Sequence, residues 1–387
     1  MTRRGVLLIN WSLRGRTAIR GPLIRSLLIT SCIWALVGCG RTELVRYSLE
    51  RPDASVDAGF DAGVRDAGFD AGIDAGFDAG CVDRPVPMTP AVPTVMFVID
   101  RSGSMLQDLD GNEDAGMGRS RWEVLDRSLS AVLPPLDQQV AMGLLMFPQA
   151  NTSCEVSATV DLSPALGNAA GLQSRMRASD VVGGTPTSVA VGVASQHLLS
   201  LTTATSARAL VLATDGAPNC NFALDVDTCT CTSAPLSSPN CDGVTLCLDD
   251  LRTVASLQRA FQNNVPTYVI GLGSGLNQFR STLDRMAVAG GVPRMGAGDR
   301  YYSASNQAEL DDAFTRITAQ LTKCTYLVTG LGINEPLTVR VDGQIIPEGP
   351  TGWDWSDRAR GELVLHGMTC DRVAMMGSDA DALVECP

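Results

Sequence analysis

Val95-Met96-Phe97-Val98-Ile99-Asp100-Arg101-Ser102-Gly103-Ser104-Met105 is the stretch on which the reading of this chain turns. An apolar run rich in β-branched residues stops at an aspartate, and two serines follow at alternate positions. A run that is apolar on both faces reads as a buried parallel strand. The carboxyl ends of such strands are where an open α/β sheet keeps its ligand site. One carboxylate and two hydroxyls at that place are hard oxygen donors, suited to Mg²⁺ or Mn²⁺.

Two later stretches complete a pattern. Gly183-Gly184-Thr185-Pro186-Thr187 brings a threonine to the start of a helix, and Leu210-Val211-Leu212-Ala213-Thr214-Asp215-Gly216 is another apolar strand ending in aspartate. Asp100-x-Ser102-x-Ser104, followed by Thr185 and Asp215, resembles the metal-ion-dependent adhesion site (MIDAS) of von Willebrand factor type A domains. The resemblance covers roughly residues 92–322. It implies a doubly wound, mostly parallel α/β sheet and a Mg²⁺ (or Mn²⁺) ion at Asp100, Ser102, Ser104, Thr185 and Asp215. In that family the serines and threonine bind the ion directly or through water, and the aspartates mainly hold those ligands and waters. An open coordination position then accepts a carboxylate from a partner protein.

Composition narrows the partners. The formal net charge is −12, and the first 38 residues carry six arginines and no acid, so the remainder is more acidic still. Such a chain is a poor candidate for nucleic acid or an anionic membrane surface. Two histidines, His197 and His366, argue against a histidine-rich zinc or copper site, and twelve cysteines argue for an oxidising compartment.

Residues 1–38 read as a signal peptide, with arginines ahead of a 13-residue apolar stretch, Ser26 to Gly38. Leu36-Val37-Gly38-Cys39 resembles the lipobox of bacterial lipoproteins, which implies lipidation of Cys39, and Gly40 after it favours the outer membrane. A plain signal peptide that happens to contain Cys39 is the other reading. Residues 39–80 form an acidic tether in which Asp-Ala-Gly begins at Asp57, Asp61, Asp66, Asp70, Asp74 and Asp78. That composition has neither helical period nor calcium-loop spacing and suits a disordered spacer.

Residues 81–324 alternate strands and helices, as a doubly wound sheet requires. The expected order is a strand ending at Asp100, an exposed loop over 107–118, and a helix from about Arg119 to Val132. A strand Val140–Phe147 follows, then an edge strand Ala158–Leu162 and a helix near Leu166–Ala178. Thr185 is expected as the N-cap of the next helix, with Pro186 at its first position. After the strand Ala209–Thr214 comes a cysteine-rich insertion, 217–247. Leu248–Gln262 (helix), Thr267–Leu272 (strand), Leu276–Ala289 (helix), a strand near Tyr301 and Gln307–Leu321 (helix) close the domain. Residues 325–387 switch to strand alternation around an Asp342-Gly343 turn and read as a small β-rich module.

With Cys32 cleaved away and Cys39 lipidated, ten cysteines remain. Cys154 is expected to pair with one of Cys220, Cys229, Cys231, Cys241 and Cys247, the other four pairing among themselves. Cys81–Cys324 would close the base of the domain, and Cys370–Cys386 would staple the β-rich module. A zinc site in the insertion is the alternative, although Cys229-x-Cys231 is not a usual zinc spacing.

Two decoys fall away. Gly271-Leu272-Gly273-Ser274-Gly275 lacks the final glycine of a dinucleotide loop. Asp100 resembles the nucleophile of haloacid dehalogenase-like phosphatases, but those enzymes need a carboxylate where Ser102 stands, and the single lysine, Lys323, falls at the wrong face. The expectation is therefore a non-enzymatic protein: an outer-membrane lipoprotein that binds an acidic protein ligand through Mg²⁺ and touches the membrane only through its lipid. A structural envelope scaffold is the alternative, and a phosphatase-like enzyme the remoter one.

Overall fold

The computed structural model describes residues 83–384, apart from 152, 203–206, 233–240, 275–277 and 333. The signal peptide, Cys39, the Asp-Ala-Gly stretch, Cys81 and Cys386 lie outside these residues. Two short strands come first, β1 (Arg84–Val86) and β2 (Met88–Pro90), followed by β3 (Thr94–Asp100), all seven of whose residues are buried.

Helix α1 (Arg121–Val132) is fixed at its start by a capping box, in which Ser120 Oγ accepts from Glu123 N while Glu123 accepts from Ser120 N. Then come β4 (Ala141–Phe147), β5 (Leu162–Ala165), α2 (Ala169–Arg177), α3 (Thr187–Ser200) and β6 (Arg208–Thr214). They are followed by α4 (Asp250–Gln262), β7 (Thr267–Leu272), α5 (Arg280–Ala289), β8 (Tyr302–Ala304) and α6 (Gln307–Lys323). The central sheet has the order β5-β4-β3-β6-β7-β8, parallel except for β5. Strand order reverses beside β3, as expected of a doubly wound sheet.

Alternation along β3 sets both faces of the core. Val95, Phe97 and Ile99 pack with α1, α2 and α6, and Met96 and Val98 pack with α3, α4 and α5. The edge strand falls later than the expected 158–162, because Ser157 Oγ accepts from Thr159 N and holds that segment in a turn. Pro164 is tolerated in β5 because the strand is at the sheet edge. The loop after Gln107 is mostly exposed, as expected, and it is tied down at its base. The buried Asp108 carboxylate accepts from the backbone N–H groups of Asp110 and Asn112, and Ser274 N donates to Leu109 O.

The last segment comprises β9 (Thr325–Val328), β10 (Thr338–Val341), β11 (Gln344–Ile346), β12 (Trp353–Asp357), β13 (Glu362–Leu365), α7 (Gly367–Met376) and β14 (Ala380–Val384). It forms two four-stranded sheets, β1-β14-β10-β11 and β12-β13-β9-β2. The module is thus built from both sides of the central domain: β1 and β2 fall within the 81–324 span expected for that domain, yet they pair with β14 and β9 of the β-rich module. A three-residue strand pattern broken by Pro85, Pro87 and Pro90 carries too little periodicity to reveal this.

Cys324 bonds Cys370, with Cα atoms 5.3 Å apart, which corrects the expected Cys81–Cys324 and Cys370–Cys386 pairs. The unforeseen helix α7 is the reason, since it places Cys370 against the end of α6. Around that bond, Gln320 Nε2 donates to Asp371 Oδ1 at 2.9 Å and Lys323 Nζ donates to Ala374 O at 3.3 Å, so α6 serves both cores.

Candidate metal centre

Parallel register brings the carboxyl ends of β3 and β6 level, with Ile99 beside Ala213. Asp100 is wholly buried there. Its Oδ1 accepts from Ser102 N at 2.8 Å and its Oδ2 from Thr214 Oγ1 at 2.6 Å. The chain then turns through a short 3₁₀ segment, Gly103–Leu106, that brings the two serine hydroxyls to 3.1 Å from one another. Ser104 Oγ donates to Asp215 Oδ1 at 3.0 Å.

A third arm arrives from the loop before α3. Val182 N donates to Arg101 O and Gly103 N to Gly183 O, both at 2.9 Å, which stitches this loop to the serine turn. Thr185 does not cap the helix as expected. The helix begins at Thr187 with Pro186 at the cap, and no side chain caps it. Thr185 is instead pinned through its backbone, its N–H donating to Asn219 Oδ1 at 2.7 Å and its carbonyl accepting from Asn219 N at 2.9 Å. Gly184 N donates to Ser153 O at 2.7 Å. The residues following these two anchors, Cys154 and Cys220, are joined by a disulfide. Gly184 has to be glycine, because a Cβ there would lie 2.5 Å from Cys220 Sγ and 2.7 Å from Asn219 Oδ1.

Ser102, Ser104, Thr185 and Asp215 line one cavity of about 650 Å³. Thr232, Thr245 and Leu246 of the insertion form part of its wall. The insertion is held by disulfides Cys229–Cys247 and Cys231–Cys241. It is anchored through Asn221, whose Nδ2 donates to Asp249 Oδ1 at 2.7 Å, while Ser188 Oγ of α3 donates to Asp249 Oδ2 at 2.9 Å.

Electrostatically the site is unbalanced. Burial, with the nearby Asp215 charge adding to it, pushes Asp100 up to about 7. Burial also raises Asp215, against the opposing pull of Arg121. Arg121 Nη1 donates to Asp215 Oδ2 at 2.6 Å and to Ser104 O at 3.2 Å, and both side chains are buried. Asp215 is thus answered by a guanidinium, while Asp100 accepts from neutral donors. Hard hydroxyl and carboxylate oxygens are the donors that Mg²⁺ takes. Adjacent ligands of an octahedral ion with bonds near 2.1 Å stand about 3.0 Å apart. The Ser102–Ser104 separation, 3.1 Å, fits that edge. The donor set therefore suits a small dication.

The five residues read from sequence come together here. Thr214, Asn219 and Arg121 were missed. Thr214 and Asn219 each sit next to, or a few residues from, a motif residue, so proximity was a usable signal. Arg121 had none, since it lies beyond the loop and opens a helix.

No protein-family model matches the chain, and no curated protein matches it. Similar solved structures include the PilB minor pilin from Streptococcus sanguinis, 20% identical with a TM-score of 0.40 over 60% of this chain and 62% of that one. The vWF domain of the type V pili tip protein Mfa5 from Porphyromonas gingivalis is 15% identical, with a TM-score of 0.38 over 59% of this chain and 94% of that one. The pilus adhesin SpaC from Lactobacillus rhamnosus GG is 15% identical, with a TM-score of 0.42 over 76% of this chain and 39% of that one. The chain spans 62% of the length of the pilin it is similar to.

Two outcomes follow from this geometry. Gly184→Ala should lower stability by about 1–3 kcal/mol through overpacking. Gly192→Ala, mid-helix with nothing within 4 Å of the new Cβ, should raise it by about 0.5–1 kcal/mol. Urea denaturation reads both, and equal effects would contradict the packing at Gly184. Secondly, unfolding returns Asp100 to its ordinary 3.8, so in chelator the penalty of burying it grows as pH rises from 3.8 to about 7. The nearly isosteric Asp100→Asn removes that penalty. Its thermal midpoint relative to wild type should climb between about pH 4 and about pH 7 and level off above; a pH-independent difference would show that Asp100 is not strained by burial.

Proposed function

We propose that this chain presents a von Willebrand factor type A domain whose metal site captures an acidic side chain of a protein partner outside the cytoplasm. The observation that carries the reading is the convergence of Ser102, Ser104, Thr185 and Asp215 on one open cavity, with Asp100 buried and bonded to the serine turn and a single guanidinium set against the two carboxylates. A Mg²⁺ or Mn²⁺ ion in this cavity would supply an electrophilic position for a carboxylate. The chain's residues prepare for it. Ser102, Ser104 and Thr185 offer neutral oxygens, so little ligand charge reaches the ion itself. Asp100 is committed to Ser102 N and Thr214, and it holds the serine turn in place. Thr185 is locked by Asn219 and the Cys154–Cys220 bond. The insertion, forming part of the cavity wall, meets the partner first and sets its identity.

Among the described residues no helix is long and apolar enough to cross a membrane. The lipobox at Cys39 and the Asp-Ala-Gly stretch complete the reading as an outer-membrane lipoprotein holding its binding domain on a tether.

Calorimetric titration with Mg²⁺ and Mn²⁺ tests the site. Saturable one-site binding is expected, weakened about tenfold or more in Ser102→Ala and Ser104→Ala. No binding at millimolar metal would leave a hydrogen-bonded turn and make a metal-free scaffold role the better account. Partner capture that survives EDTA would show that binding is not metal-gated.

A further inference from the structure

Arg121 is in an unexpected place. It is the first residue of α1, where a cation opposes the helix dipole, so local preference does not explain it. Its side chain is buried, and its Nε has no hydrogen-bond partner. Two glycines make the slot through which it runs. A Cβ on Gly273 would stand 3.1 Å from Nε and 3.3 Å from Nη2, and one on Gly111 would stand 3.7 Å from Nη2. Both glycines have positive φ, at +110° and +88°. A desolvated arginine, an orphaned nitrogen and two glycine positions are an expensive arrangement for a salt bridge alone.

The arrangement commits both oxygens of Asp215. One takes Arg121 Nη1 and the other takes Ser104 Oγ. Arg121 also reaches the cavity wall. We propose that Arg121 is a built-in cation that keeps Asp215 out of the metal's own ligand set, giving up metal affinity to gain affinity for an anionic ligand. This rests on the metal-site reading above. With Arg121 present, Asp100, Asp215, the guanidinium and a dication sum to one positive charge, which favours an incoming carboxylate. Without Arg121 they sum to zero, and Asp215 is free to turn its released oxygen to the ion.

Opposite signs follow for the two ligands, which damage to the fold would not produce. Mn²⁺ alone is the metal probe, by calorimetry. Acetate is the carboxylate probe, read by broadening of its methyl proton resonance by bound Mn²⁺. Arg121→Gln should bind Mn²⁺ about tenfold more tightly and should largely lose acetate broadening. Arg121→Lys, which keeps the charge, should retain acetate broadening. Mn²⁺ binding that is unchanged or weaker in Arg121→Gln would overturn the proposal. Should that variant fail to fold, the wild-type protein still decides. The Arg121 side-chain N–H resonances should stay protected from exchange at saturating Mg²⁺, and their loss on adding Mg²⁺ would mean Asp215 has moved to the ion. Wild-type protein that binds no Mn²⁺ would sink the metal reading itself, a different outcome from either.

Discussion

Two carboxylates, Asp100 and Asp215, are buried where β3 and β6 end, and removing a charge from water is costly unless something answers it. The surroundings answer it piece by piece. Thr214 and Ser102 N donate to Asp100, while Ser104 and Arg121 donate to Asp215. One negative charge remains unanswered among protein groups. That residue of charge, beside three hydroxyl-bearing side chains and an open cavity, is the ground on which a cation is proposed there.

The rest of the domain supports this point. The parallel register of β3 and β6 levels the two strand ends. The Cys154–Cys220 bond links the loops that follow β4 and β6, and of the anchors beside those cysteines Ser153 holds Gly184 and Asn219 holds Thr185. Asp249 ties the insertion to α3, whose N-terminus follows Thr185 directly. Further from the site, α6 joins the central sheet to the second module through Gln320, Lys323 and Cys324. The ligand end and the module end of the domain are therefore stabilised by separate covalent staples.

Much of the architecture was legible in the sequence because the signals are local. Strands apolar on both faces, helices with apolar residues three or four apart, and an aspartate at the end of two strands need no tertiary knowledge to recognise. That Asp100, Ser102, Ser104, Thr185 and Asp215 lie together at the strand ends was legible for the same reason. What was not legible depends on distant partners. The strands β1 and β2 are three residues each and acquire their identity only by pairing with β14 and β9. Cys324 could be matched to Cys370 only by knowing α7. Thr185 reads as a cap from Thr-Pro spacing, but the claims of Asn219 on its backbone shift the helix start to Thr187. Arg121 is invisible as a site residue, because nothing in its neighbourhood says that α1 begins beside Asp215.

The central claim is that a dication sits between the serine turn and Asp215. Anomalous diffraction from crystals grown with Mn²⁺ measures this directly. The account predicts one strong peak within bonding distance, about 2.2 Å, of the Ser102 and Ser104 hydroxyls, with Asp215 still bonded to Arg121. Mn²⁺ density absent there, or found only elsewhere on the protein, would contradict it.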